Sequence, residues 1–97
     1  MSVEQLTAEE RDSWLSGLKG WTLTREGKAI ERKFEFADFS EAFAFMTRVA
    51  MIAESRDHHP EWFNVYNRVE VTLTTHDADG LSLRDVKMAR KIDALLS

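Results

Sequence analysis

The sequence predicts an α+β domain: a four-stranded antiparallel sheet with three helices on one face, in the order α-β-β-α-β-β-α. Three observations lead there. Thr7, Asp38 and Ser82 are each followed three positions later by an acidic residue, and apolar residues then recur at the helical period. Between and after these runs lie two pairs of shorter segments in which apolar and polar residues alternate. Short polar or glycine-containing turns join the members of each pair, so both pairs read as hairpins, and helices between and after hairpins cover one face of a shared sheet.

The elements follow in order. Thr7 and Glu10 form a capping box ahead of Trp14, Leu15 and Leu18, with Gly17 and Gly20 stopping the first helix. "WTLT" at 21–24 and "AIERKFEF" at 29–36 flank the turn "REGK". In the second run Ile30, Phe34 and Phe36 share one side, and Glu31, Lys33 and Glu35 the other; Arg32 breaks the parity and is expected to snorkel at a sheet edge. Asp38 with Glu41 makes a second capping box. Phe39, Ala42, Phe43, Met46, Val49, Ala50 and Ala53 then predict a long core-packed helix from about residue 39 to the mid-50s. Pro60 ends it locally and pushes His59 into extended backbone. "WFNVYN" and "VEVTLTT" form the second hairpin about Asn67 and Arg68, with Phe63 and Val65 on one face of the first strand and Val69, Val71 and Leu73 on one face of the second. After the loop "HDADG", Ser82 and Asp85 open a last helix whose apolar face is Leu83, Val86, Ala89, Ile92 and Leu96.

Composition limits what such a domain can do. The 97 residues, 43% hydrophobic and 31% charged, make one domain spanning 1–97. Thirteen Lys and Arg are scattered among 17 Asp and Glu for a net charge of −4, which speaks against nucleic acid as a direct ligand. The absence of cysteine removes thiolate chemistry and disulfides. An acidic, polar beginning and the lack of a long apolar run predict a cytoplasmic protein without a membrane anchor.

Candidate chemistry centres on "ESRDHHPEW", residues 54–62. His58 and His59 are adjacent, so their side chains diverge by about 100° on a helix and about 180° on a strand, a poor arrangement for gripping one metal ion. No metal and no cofactor are expected. Acid–base chemistry asks less of the geometry, since diverging imidazoles can touch two parts of one ligand near neutral pH. The same histidines could instead cap the carbonyls at the helix end. The polar residues Glu54, Asp57, Glu61, His76, Asp77, Arg84 and Asp85 also fall at element ends, so one rim of the sheet could gather them.

The spacing Glu54, three residues, His58-His59-Pro60, five residues, Tyr66, nine residues, His76, eight residues, Asp85 resembles the signature of the pterin-4a-carbinolamine dehydratase (dimerisation cofactor) family. "HHPEWFNVYNRVEVTLTTHDADGLSLRD" is similar to that family throughout, and the likeness covers nearly the whole chain. The resemblance implies dehydration of a 4a-hydroxytetrahydropterin to the quinonoid dihydropterin, in support of pterin recycling after an aromatic amino acid hydroxylase. It assigns acid–base work to His58 and His76, and orientation and polarisation of the pterin to His59. By the same resemblance Glu54 and Asp57 hold these histidines, Trp62 walls the ring, Arg84 and Asp85 close the rim, and the Thr74 and Thr75 backbones meet the pterin amide edge. It also implies a homodimer or homotetramer, joined through Leu83, Val86, Met88, Leu95 and Leu96 or through the outer rows of the middle helix. Some relatives act as interaction or assembly cofactors, which is the alternative function.

Overall fold

The structure is a computed structural model that describes residues 3–97. It has the predicted element order: α1 (Ala8–Leu15), β1 (Thr22–Thr24), β2 (Ala29–Glu35), α2 (Phe39–Arg56), β3 (Glu61–Val65), β4 (Arg68–Leu73) and α3 (Leu83–Ala94). The strands form one antiparallel sheet in the order β1-β2-β4-β3. Register pairs Ile30 with Leu73, Phe34 with Val69 and Trp62 with Val71, so alternation sends Ile30, Phe34, Val69, Val71 and Leu73 to one face. There they meet Ala42, Phe45, Val49 and Ala53 of α2 and Val86, Met88, Ala89 and Ile92 of α3. No helix among the described residues is long and apolar enough to cross a membrane.

The caps at Thr7 and Ser82 are reciprocal capping boxes. Asp38 also caps α2 through the Glu41 N–H, but the Glu41 carboxylate turns back to the Ala37 N–H at 3.2 Å, so that box does not close. The first helix ends at Leu15, one turn earlier than expected, and Leu18 enters the core from the following turn. The long helix is less evenly buried than its period suggested. Phe45 faces the core, whereas Phe39, Phe43 and Ala50 lie exposed on the outer side. On β3 the open face takes Phe63 and Val65, which pair with Glu70 and Arg68, and the turn is made by Tyr66 and Asn67.

Arg32 does not sit at a sheet edge. It lies on interior strand β2, on the helix-facing side, and donates through Nη1 to Asp93 Oδ1 at 2.6 Å. The same oxygen accepts from Trp21 Nε1 at 3.0 Å, and the guanidinium lies 4.6 Å from the Phe34 ring centroid. Gly20 makes this possible: a Cβ there would stand 2.5 Å from Arg32 Nε. One carboxylate of α3 thus closes the end of the core through one buried donor, Trp21, and one half-buried donor, Arg32.

At the opposite end of the sheet the β1–β2 turn carries three successive left-handed residues, Arg25, Glu26 and Gly27 (φ 53°, 58° and 86°). From there Arg25 reaches Glu61, at the start of β3, with contacts of 2.5 and 3.1 Å. That hydrogen bond is the main reason the Glu61 carboxyl is held below its ordinary value of 4.5 and the Arg25 guanidinium is raised. The pair straps together the rim that carries the histidines.

Two outcomes are expected. Asp93→Ala leaves both Arg32 and Trp21 without their acceptor and should cost about 1–3 kcal/mol in urea denaturation; a change within error would remove this contact from the account of stability. Glu61 has a depressed folded-state pKa, so its contribution is present above 4.5 and lost as pH falls through the lowered value. The difference between wild type and Glu61→Gln, under about 1 kcal/mol for so exposed a pair, should therefore appear near neutral pH and vanish in acid. A difference that grows on acidification would contradict the pairing.

Candidate active site

The site lies at the end of the sheet where α2 finishes, β3 begins, β4 finishes and α3 begins. Its geometry starts with one backbone reversal. Asp57 takes the left-handed conformation (φ 49°, ψ 44°) as the C-terminal cap of α2, and the N–H of His58 turns back to the Ala53 carbonyl at 3.1 Å. The two histidines are thrown to opposite sides of the chain: His58 is 8% exposed and His59 is exposed.

His58 points its Nε2 at Asp85 Oδ1, 2.6 Å away. The other oxygen, Oδ2, accepts from Thr75 Oγ1 at 2.7 Å and from the Ser82 N–H at 3.0 Å. With Oδ2 accepting from two donors, Oδ1 is the oxygen placed to accept from the ring in its Nε2–H tautomer, and among the described residues Nδ1 has no hydrogen-bond partner. Asp85 is the third residue of α3 and belongs to its capping box, so helix initiation and imidazole orientation share one side chain. Ser82 and Thr75 complete the cluster with a 2.7 Å hydroxyl contact. Asp85 was expected at the rim but is 0% exposed, behind His58, and has no surface for a ligand.

His59 meets Glu54 in the open, Nε2 to Oε1 at 2.6 Å. His76 opens a short 3₁₀ turn just past β4, and this turn is pinned on several sides. The Thr75 and Gly80 backbones bond reciprocally at 3.0 and 3.2 Å. Gln5 donates to the Asp79 carbonyl at 2.9 Å, and Thr74 Oγ1 donates to the Lys28 carbonyl at 2.7 Å. Since the Thr75 N–H is given to Gly80, it is not open to a ligand.

A cleft of about 290 Å³ is lined by Asp57, His58, His59, Thr74, Thr75, His76, Asp77 and Arg84. Seven of these are given a role by the sequence, and Asp77 is named among the polar residues at element ends without one. Glu54 reaches the cleft only through His59. Trp62 lies outside it, beside a shallow depression with Glu31, Glu61 and Glu70. A larger depression of about 570 Å³, floored by Phe34, Phe36 and Phe45, holds no histidine, so the smaller cleft is the one equipped for proton transfer. Among the described residues no three His, Asp or Glu side chains converge as a metal-binding set.

Comparison with known proteins supplies the family and supports the fold. The family model for pterin 4 alpha carbinolamine dehydratase matches residues 4–95. A protein from Novosphingobium aromaticivorans, provisionally named a pterin-4-alpha-carbinolamine dehydratase, is 64% identical over 96 residues, covering 99% of this chain and all of the relative. A Burkholderia cenocepacia protein with the same provisional name is 60% identical over 91 residues, covering 94% of this chain and 89% of the relative. Among solved structures, the transcriptional coactivator/pterin dehydratase from Brucella melitensis superposes with a TM-score of 0.92 at 50% identity, over 97% of this chain and all of that one. A pterin dehydratase-like RuBisCO assembly factor of the alpha-carboxysome, at 22% identity and a TM-score of 0.69, covers 78% of this chain and 88% of its own, and shares the fold alone. With a match across almost its whole length, the chain belongs to the pterin-4-alpha-carbinolamine dehydratase family.

Proposed function

We propose that the protein dehydrates a 4a-hydroxytetrahydropterin to the quinonoid dihydropterin in the cytoplasm. The single observation that carries this reading is the convergence of His58, His59 and His76 on one cleft. The reaction needs a proton delivered to the 4a-hydroxyl, which leaves as water, and a proton removed from N5 as the C=N bond forms. His58 and His76 divide those two transfers, while His59, held by Glu54, orients and polarises the ring. Because Nε2 of His58 is taken by Asp85, proton exchange with the ligand runs through Nδ1. Asp85 is accordingly a positioning residue. Arg84 and Asp57 flank the cleft as neighbours of the pterin, and its volume suits one flat bicyclic ring. A separate two-electron reduction by a reductase would return the product to the tetrahydropterin pool that an aromatic amino acid hydroxylase draws on.

Self-association also belongs to this reading. Of the surfaces expected from sequence, Val86 and Met88 are wholly buried and unavailable. Phe39, Phe43 and Met51 of α2 are exposed by 48%, 55% and 70%, and this row supports a homodimer or homotetramer more directly. The same row would serve the alternative function as an interaction cofactor.

The protein should accelerate loss of 4a-hydroxypterin absorbance, and a His58→Ala, His76→Ala double variant should keep a native circular-dichroism spectrum at lowered thermal stability, because Asp85 loses one partner, yet fall to the uncatalysed rate. Unchanged activity would sink the assignment. Asp85→Asn should lower kcat by about 10²-fold and shift the pH–rate profile, since an amide can present the wrong group to Nε2. A loss of thermal stability with an unaltered pH profile in the remaining active enzyme would make Asp85 merely structural.

A further inference from the structure

The cations scattered along the sequence are not scattered in space. Arg56, at the end of α2, meets Lys87, Arg90 and Lys91 of α3 around a groove of about 390 Å³ whose remaining lining residue is Ala94. No acidic side chain lines it, and none of the four cations has a carboxylate within ion-pair distance among the described residues. Arg90 is fixed by stacking over Trp14, 4.4 Å from the ring centroid. Complementing a helix C-terminus accounts for Arg56 and Lys91 one at a time. It does not account for Lys87 and Arg90, nor for four like charges converging in a chain of net charge −4. Such a cluster repels itself until an anion enters.

The linings of the groove and the histidine cleft are neighbours along the chain at two points. Arg56 immediately precedes Asp57, and Arg84 stands one helical turn before Lys87 on α3, so both neighbours belong to the cleft lining. A ring substituent that left the cleft between Asp57 and Arg84 would be directed toward the basic groove. Resting on the pterin-dehydratase reading above, we infer that the groove receives an anionic substituent of the pterin, a phosphate ester or a carboxylate chain, and that the protein favours anionic over neutral pterins. Guanidinium and ammonium groups supply charge-assisted hydrogen bonds to such a terminus, and the aliphatic stems beside Ala94 pack along the linking carbons.

The test compares two 4a-hydroxytetrahydropterins with the same three-carbon hydroxylated side chain, one ending in a hydroxyl and the other in its phosphate ester. In low salt the ester should show a KM about tenfold lower at similar kcat, the scale of one charge-assisted contact, and added salt should erase the advantage. Lys87→Gln with Lys91→Gln, both exposed and both retaining good helix formers, should abolish it while leaving turnover of the neutral substrate unchanged. Equal KM values for the two substrates in wild type, or equal losses for both in the variant, would overturn the inference without touching the dehydratase reading. Should neither substrate be dehydrated, that reading fails; binding of the fully oxidised pterin and its phosphate, followed by fluorescence, then still decides the groove, since the variant must weaken only the phosphate. Binding of a labelled random-sequence duplex DNA more tightly than the pterin phosphate, lost in the same variant, would assign the groove to nucleic acid and overturn the proposal.

Discussion

The buried carboxylate of Asp85 is the contact on which the site depends. Taking an ionised carboxylate out of water costs several kcal/mol unless its lone pairs are filled. Here they are filled by an imidazole, a hydroxyl and a backbone N–H from three different segments of the chain. The first follows α2, the second follows β4, and the third begins α3. Satisfying one charge therefore fixes how three element ends meet, and the meeting point is the cleft. Each partner also loses freedom: the Thr75 hydroxyl is shared between Asp85 and Ser82, and the His58 ring can neither rotate nor change tautomer without giving up its contact with Asp85 Oδ1.

A second carboxylate, Asp93, has the corresponding role about two turns further along α3, with Arg32 and Trp21 in place of the imidazole and hydroxyl. Between the two, the helix contributes Val86, Met88, Ala89 and Ile92 to the core. α3 is thus tied to the sheet by apolar burial along its length and by one acid near each end. The division of labour has a functional side. Asp93 lies in a half-buried, mainly structural contact, whereas Asp85 holds a group that can exchange protons with a ligand.

The remaining polar groups differ chiefly in exposure. His59 and Glu54 form their pair in solvent, where the geometry resists less and the ring can adjust to a ligand. His76 sits on a turn fastened to Gln5 and Lys28 and to the Thr75–Gly80 bridge, a placement that keeps a solvent-facing imidazole in register with a buried one. Divergence of the adjacent histidines, which weakens any reading as a chelate, follows from their adjacency in non-helical chain, and the left-handed residue Asp57 turns that chain away from α2. Aspartate tolerates that conformation better than most side chains, so the reversal needs no glycine.

Much of the fold was legible in the sequence because it is locally encoded. Capping residues, period and the proline at 60 act within a few residues, so the element order, the end of α2 and the place of the histidines at an element boundary could be read directly. The histidines themselves were singled out by type and by family resemblance. What tertiary structure alone decided are the pairings across long separations. Period says which residues share a face, but not which face is covered, so Phe39, Phe43, Phe63 and Val65 look like core until the layers are assembled. Likewise Arg32 breaks a strand pattern whose answer, Asp93, lies 61 residues away, and Asp85 reads as a helix cap until His58, 27 residues earlier, is folded against it. The gathering of Arg56 with Lys87, Arg90 and Lys91 has the same cause: side chains dispersed along the chain become neighbours only when α2 and α3 pack on one sheet face.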